Sequence, residues 1–171
     1  MTQEKSLKMT QEIKGEVDLC RHRLLKYCQG QGLDLGCGRS KISINAIGVD
    51  LHNPEVADML IDARDLSRYP DGHFDFVFSS HLLEELENTE ATLREWLRVV
   101  KDGGNIVLYQ ADKNTYFPLG HPQCNSSHKH HFDHKDLWAV FEKIGGVQHV
   151  HAADPVGKEW SFELIVKKGA V

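Results

Sequence analysis

Gly32-Leu33-Asp34-Leu35-Gly36-Cys37-Gly38-Arg39-Ser40 is the stretch that decides the fold of this chain. Leu33 to Leu35 is a short apolar run that stops at a Gly-x-Gly turn, as a buried strand does where it enters a loop. Glycines at such a turn let the backbone come close to a ligand. In open α/β sheets the ligand lies beyond the carboxyl ends of the strands, near the switch point. Gly36 and Gly38 fit the start of a Gly-x-Gly-x-x-Gly nicotinamide fingerprint, but position 41 is Lys, which weakens that reading. The Gly-Lys-Ser/Thr ending of a P-loop is absent. Taken alone, the turn is equally compatible with a plain strand connection.

Outward from this turn, the pattern alternates. Ile13, Val17, Cys20, Leu24 and Tyr27 recur at helical spacing, which predicts an amphipathic helix over about 9–28, ended by Gly30 and Gly32. Ala46 to Val49 reads as a second strand ending at Asp50. Met59 to Ile61 reads as a third, weaker one ending at Asp62, and Phe74 to Phe78 as a fourth, stopping at Ser79-Ser80. Leu93, Trp96, Leu97 and Val100 predict a helix over 92–101, capped by Asn88 or Thr89 and stopped by Gly103-Gly104. Asn105 to Tyr109 is a fifth strand. Leu137, Val140, Phe141 and Ile144 mark a last helix between an Asp133 cap and Gly145-Gly146. Val147 to Ala152 and Trp160 to Val166 are late strands, and the short linker between them requires antiparallel pairing. The expectation is an α/β fold with a doubly wound, mainly parallel sheet and a terminal antiparallel hairpin.

The chain has 171 residues, the length of one domain. The expected division is an N-terminal helix (1–30), a ligand-binding core (31–110), a loop on the acceptor side (111–136), and a C-terminal helix and hairpin (137–171). Asp and Glu outnumber Lys and Arg, 25 to 20, and a net charge of −5 argues against general binding to nucleic-acid backbones. No apolar run approaches the ~20 residues of a membrane span. Four cysteines without a Cys-x-x-Cys pair suggest reduced thiols and a cytoplasmic protein. Sequence patterning leaves a monomer and a homodimer equally open.

Asp50 follows Asp34 by 16 residues, at the end of the next strand. A carboxylate there can accept from both hydroxyls of a ribose. Asp62-Ala63 follows the third strand, where a carboxylate can accept from an adenine amino group and the next N–H can donate to the ring. With Pro70-Asp71-Gly72-His73-Phe74-Asp75-Phe76-Val77-Phe78-Ser79-Ser80-His81-Leu82-Leu83-Glu84, these form an ordered set. The set resembles the class I S-adenosylmethionine-dependent methyltransferases of the small-molecule type, from about Gly32 to Gly104, through the motifs DLGCG, GVD, DARDL and PDGHFDFVFSSHLLEEL.

The resemblance implies a Rossmann-like, seven-stranded sheet in the order 3-2-1-4-5-7-6. It also implies S-adenosylmethionine as cofactor. Gly36, Cys37 and Gly38 would wrap its methionyl part, and Asp34 would order that loop or the ammonium. Asp50 would hold the ribose, Leu51 would pack on the adenine, and Asp62 and Ala63 would read the adenine edge. Ser79 and His81 would line the floor beside the sulfonium. The implied reaction is in-line displacement at the methyl carbon by a small-molecule or glycan-type acceptor. The glycan class is suggested by the short span from Arg39 to Asn45, a feature of a subset of the family. His81 is the candidate catalytic base, since a histidine titrates near neutrality. Glu84 is read as ordering the start of the next helix.

Five of the 11 histidines fall between 121 and 134, in His121-Pro-Gln-Cys124-Asn-Ser-Ser-His128-Lys-His130-His131-Phe-Asp-His134. This segment reads first as an acceptor-binding loop, next as a solvated loop, and last as a metal site formed by His121, Cys124, His128 and His131, in a spacing that matches no standard zinc pattern. No catalytic metal is expected, because only Asp112 would match the acidic positions used by metal-dependent members of the family. Asp112, Asn114, Tyr116 and Phe117 are further candidates to face the acceptor. The rival readings are a non-catalytic cofactor- or metal-binding module and a nucleotide-binding oxidoreductase or epimerase.

Overall fold

Six strands form a single sheet in the computed structural model, which describes residues 15–157 and 159–169. The strands are β1 (Gly32–Leu35), β2 (Ala46–Val49), β3 (Phe74–Ser80), β4 (Val100–Ala111), β5 (Val147–Ala153) and β6 (Ser161–Lys168), in the order β2-β1-β3-β4-β6-β5. The first four are parallel; β6 runs antiparallel to both β4 and β5. The expected third strand is corrected: Met59 makes one isolated parallel bridge to Val49 and no strand. Leu60 is exposed, so this run has too little buried surface to hold a ladder.

Side-chain alternation sends the strands' apolar residues to two faces. Leu33, Leu35, Val77, Ile106 and Leu108 pack on one face against helices α2 (Thr89–Val99) and α3 (His134–Ile144). Phe76, Phe78, Val107 and Tyr109 pack on the other against α1 (Val17–Leu24). The part of the expected first helix before residue 15 lies outside the described residues. A single 3₁₀ turn, Leu25–Tyr27, continues α1. Asn88 caps α2 by accepting from the Ala91 N–H, and Asp133 with Asp136 forms a full capping box on α3.

The boundary after α2 differs from expectation. The helix stops at Val99 and β4 begins at once, with Val100 opposite Phe74 and Asn105 opposite Phe76. Lys101 to Gly104 therefore loop out of the ladder. Gly104 is required there, since a Cβ would lie 2.6 Å from the Asp75 carbonyl oxygen.

No helix joins β1 to β2; residues 39–45 form turns. Two contacts hold this short crossover. The Asp34 carboxylate accepts from the Ile42 N–H at 2.5 Å, and Ile42 is fully buried under α1. Arg21 of α1 donates to the carbonyls of Lys41 (2.7 Å) and Ile42 (3.2 Å) and to the Ser40 hydroxyl (2.7 Å). Because β1, β2 and β3 are parallel, their carboxyl ends at Leu35, Val49 and Ser80 lie on one edge, around the switch point at β1. Among the described residues, no helix is long and apolar enough to cross a membrane. All four cysteines are free thiols.

Candidate functional site

The glycine turn after β1 is tied to β2 rather than left open. The N–H groups of Gly36 and Cys37 both donate to the Val49 carbonyl, at 2.8 and 3.2 Å. The Gly38 N–H donates to Asp50 Oδ2 at 3.1 Å. These three donors are thus spent inside the protein, and the turn offers its Cα surface and carbonyls to a ligand. Gly36 and Gly38 have φ of +73° and +53°, in the left-handed region that glycine enters at no steric cost. Cys37 is buried, which pushes its thiol up to about 12, so it stays protonated.

Asp50 has its second oxygen on the His52 N–H at 2.8 Å. Each carboxylate oxygen has two lone pairs, so one per oxygen remains. Leu51 is exposed beside it. Asp62 is held by Arg64: Nε lies 3.0 Å from both oxygens, Nη2 2.6 Å from one, and the Arg64 N–H 2.8 Å from the other. This contact holds the Asp62 carboxyl below its usual range. The pair is substantially exposed, so it contributes at most about 1 kcal/mol and a ligand can compete with it. The Ala63 carbonyl accepts from Trp96 Nε1 at 2.8 Å, which fixes this turn to α2.

His81 has φ +50°, the one positive value at a non-glycine residue described. Its N–H is anchored on the Tyr109 carbonyl at 3.0 Å. The ring nitrogens are both engaged: Nε2 lies 2.8 Å from Ser161 Oγ, and Nδ1 3.2 Å from Glu84 Oε1. Burial alone would lower its pKa, but the hydrogen bond and charge of Glu84, with Glu16 and Glu85, win and raise it. A general base needs a free, neutral nitrogen. Both ring nitrogens of His81 already have partners, so one contact must open before the ring could act as a base. Ser79 is also corrected: it is fully buried with an unpartnered Oγ, and Ser80 is the serine on a cavity wall.

Two cavities open at this edge. A cleft of about 560 Å³ has Asp50, Leu51, Asp62 and Ala63 on its walls, and a smaller cavity of about 210 Å³ has Asp34, Cys37, Gly38 and Ser80. Gly36 and His81 belong to both, so the two meet there. Asp34 is buried against the smaller one, and burial raises its carboxyl to about 7.

The segment after β4 contributes differently from expectation. Ser126, Ser127 and Lys129 stand on the wall of the larger cleft, not the histidines. Asp112 is buried, and its Oδ1 accepts from the Asn114 N–H. Tyr116 packs on His128 and His131. His121 stacks on Phe117, apart from the other histidines. Sequence reasoning missed Glu16 and Arg39, both on the smaller cavity, and Arg64 and Trp96. Arg39 and Arg64 flank motif residues and could have been flagged. Glu16 and Trp96 reach the site only through packing of α1 and α2.

Residues 33–108 match the methyltransferase domain family. The chain is 33% identical over 90 residues to ajmaline N-methyltransferase of Rauvolfia serpentina, covering 52% of this chain and 31% of that protein. It thus spans about a third of that curated relative. Among solved structures, a S-adenosylmethionine-dependent methyltransferase from Archaeoglobus fulgidus superposes with a TM-score of 0.71 at 20% identity, covering 90% of this chain and 95% of that one. The [4+2]-cyclase SpnF superposes with a TM-score of 0.68 at 17% identity, covering 91% and 80%. Over residues 33–108 the chain is thus similar to the methyltransferase domain family, and its sheet has the fold of solved S-adenosylmethionine-dependent methyltransferases.

Proposed function

We propose that this protein transfers a methyl group from S-adenosylmethionine to a small-molecule or glycan-type acceptor in the cytoplasm. The observation that carries this reading is the pair of cavities meeting at Gly36 and His81, each with carboxylates suited to one half of the cofactor. The residues fit the group. In the smaller cavity, Asp34 and the buried, unpartnered Oε2 of Glu16 suit an ammonium and a neighbouring sulfonium, and Arg39 suits a carboxylate. In the larger cleft, the free lone pairs of Asp50 suit two ribose hydroxyls, Leu51 and Ile61 suit the faces of a base, and Asp62 with the Ala63 N–H suits its edge. The bound cofactor supplies an electrophilic methyl carbon for in-line displacement.

The chain's own part is positioning. Gly36 brings the backbone against the junction of the cavities, and the Glu84–His81–Ser161 chain of contacts holds the His81 ring there. With both ring nitrogens engaged, the rate comes mainly from orientation and exclusion of water, which can supply several kcal/mol. The glycan class rests on the short crossover at 39–45, and the small-molecule class on the size of the larger cleft, about 560 Å³. The fold by itself does not decide the reaction, as a cyclase with the same architecture demonstrates.

The test is to incubate the protein with methyl-labelled S-adenosylmethionine and a fractionated cell extract. Label is expected in the small-molecule or glycan fraction. Label confined to protein or RNA would replace the acceptor class. Cofactor binding with no labelled fraction would leave a non-catalytic binding module.

A further inference from the structure

We infer that Cys124, His128 and His131 form a binding site for one zinc ion, a function separate from methyl transfer. Cys124 Sγ lies 3.7 Å from His131 Nε2, and His128 Nδ1 lies 3.3 Å from the same nitrogen. All three ligand atoms fall within 4.8 Å of one another. Zinc bonds of about 2.3 Å to sulfur and 2.0–2.1 Å to nitrogen, at tetrahedral angles, place S and N about 3.6 Å apart and two N atoms about 3.3 Å apart. The two pairs that include His131 already stand at these separations, and the Cys124–His128 pair lies within 4.8 Å. One thiolate with two imidazoles selects zinc over magnesium or calcium, which prefer oxygen.

The surroundings are those of a built site. Nδ1 of His128 lies against His131 Nε2. With Nδ1 on the metal the proton would sit on Nε2, which is 3.9 Å from Glu84 Oε1, close enough for its charge and within one small shift of a hydrogen bond. A carboxylate behind a ligating histidine fixes its tautomer and raises its basicity. Glu84 is buried, and its Oε2 has no partner. His128 is itself 3% exposed. The main chain between the ligands is pinned, since the N–H groups of Lys129 and His130 donate to the Glu84 carbonyl at 2.8 and 3.1 Å. The Tyr116 ring covers both imidazoles, with centroids 5.3 and 5.9 Å away. His121 takes no part: its Nδ1 accepts from the Gln123 N–H and its ring stacks on Phe117.

Three protein ligands leave a fourth position for water. Binding releases the Cys124 thiol proton to solvent and forms the metal–thiolate bond. One thiolate and two neutral imidazoles leave the ion a net positive charge, which the Glu84 carboxylate, shared with His81, offsets in part. The ion would fix residues 124–131, and with them the Ser126, Ser127 and Lys129 wall of the larger cleft.

Metal-stripped full-length protein titrated with Co²⁺ provides the test. One equivalent should bind with tetrahedral absorption and a thiolate-to-cobalt charge-transfer band, and Zn²⁺ should displace it. Cys124→Ser should abolish the charge-transfer band, and His121→Ala should change nothing. Glu84→Gln should weaken binding by about 10–100-fold. Cys124 is on a loop and only partly buried, so its variant is expected to fold whatever happens to the Glu84 variant. Absence of cobalt or zinc binding by the native protein, or an unchanged spectrum in Cys124→Ser, would overturn the assignment.

Discussion

Asp50→Ala is expected to weaken S-adenosylmethionine binding by about 100-fold or more, the largest loss from any single side chain at the site. Asp50 acts twice. It holds the glycine turn through the Gly38 N–H, and it keeps one lone pair per oxygen for a vicinal diol. Hydrogen bonds to a charged acceptor contribute about 1.5–3 kcal/mol each. Two lost at the low end come to about 3 kcal/mol, or two decades in the dissociation constant. Alanine also leaves the Gly38 N–H without its acceptor, so the free turn should loosen. Calorimetric titration measures the affinity, and a thermal melt without ligand shows whether the fold survives. An unchanged dissociation constant in a folded variant would remove Asp50 from the cofactor site.

The second large effect is a pH dependence that belongs to Asp34. Burial raises its carboxyl from the ordinary range to about 7, against the opposing Ile42 N–H, Lys41 and Arg21. The free protein therefore holds this proton more tightly than the unfolded chain does. That contribution to stability is fully present below about pH 4 and is lost as pH rises through about 7, with a limit on the order of 4 kcal/mol. A cationic ligand needs the opposite form. Its affinity should fall as pH drops below about 7, by up to about tenfold per unit, while the ligand's own α-amino group loses its proton above about 7.7. His81 shares the junction and also gains charge as pH falls, so the isolating variant is Asp34→Asn. Its carboxamide oxygen can still accept from Ile42. The variant should bind weakly at every pH, lose most of the acid limb, and flatten the change in melting temperature between pH 4 and 7. An acid limb of unchanged size in Asp34→Asn would assign the titration to another group.

The fold was legible where local chemistry repeats. The Asn88 and Asp133 caps, the helical stripes, and the turn at Gly36 each declare themselves within a few residues. The third strand misled because Met59-Leu60-Ile61 is apolar, yet only Met59 pairs. The end of α2 misled because Val99-Val100 continues the apolar stripe, and pairing with Phe74 claims Val100 for the sheet. Such pairing depends on a partner far along the chain.

The site divides in the same way. Asp34 within β1, Gly36 and Asp50 just beyond β1 and β2, and Asp62 and Ala63 after the Met59 bridge all come to the walls of the two cavities. Ser79 was misplaced by one residue, and a shift of one along a strand exchanges the two faces. The state of His81 was hidden because Glu84 and Ser161 reach it through the packing of β6 and the Leu83–Glu85 turn. The histidine-rich segment gave its residues but not its geometry. Its shape depends on the Glu84 carbonyl, some forty positions upstream.

A thermal-shift titration with S-adenosylmethionine, its demethylated product and NAD tests the central claim most directly. A ligand at 100 times its dissociation constant stabilises the fold by about 2.7 kcal/mol. For a chain of 171 residues this is a rise of roughly 5–10 °C in the melting temperature. The account predicts that rise for S-adenosylmethionine and for its product, with none for NAD. No shift with S-adenosylmethionine, or a shift with NAD alone, would contradict it.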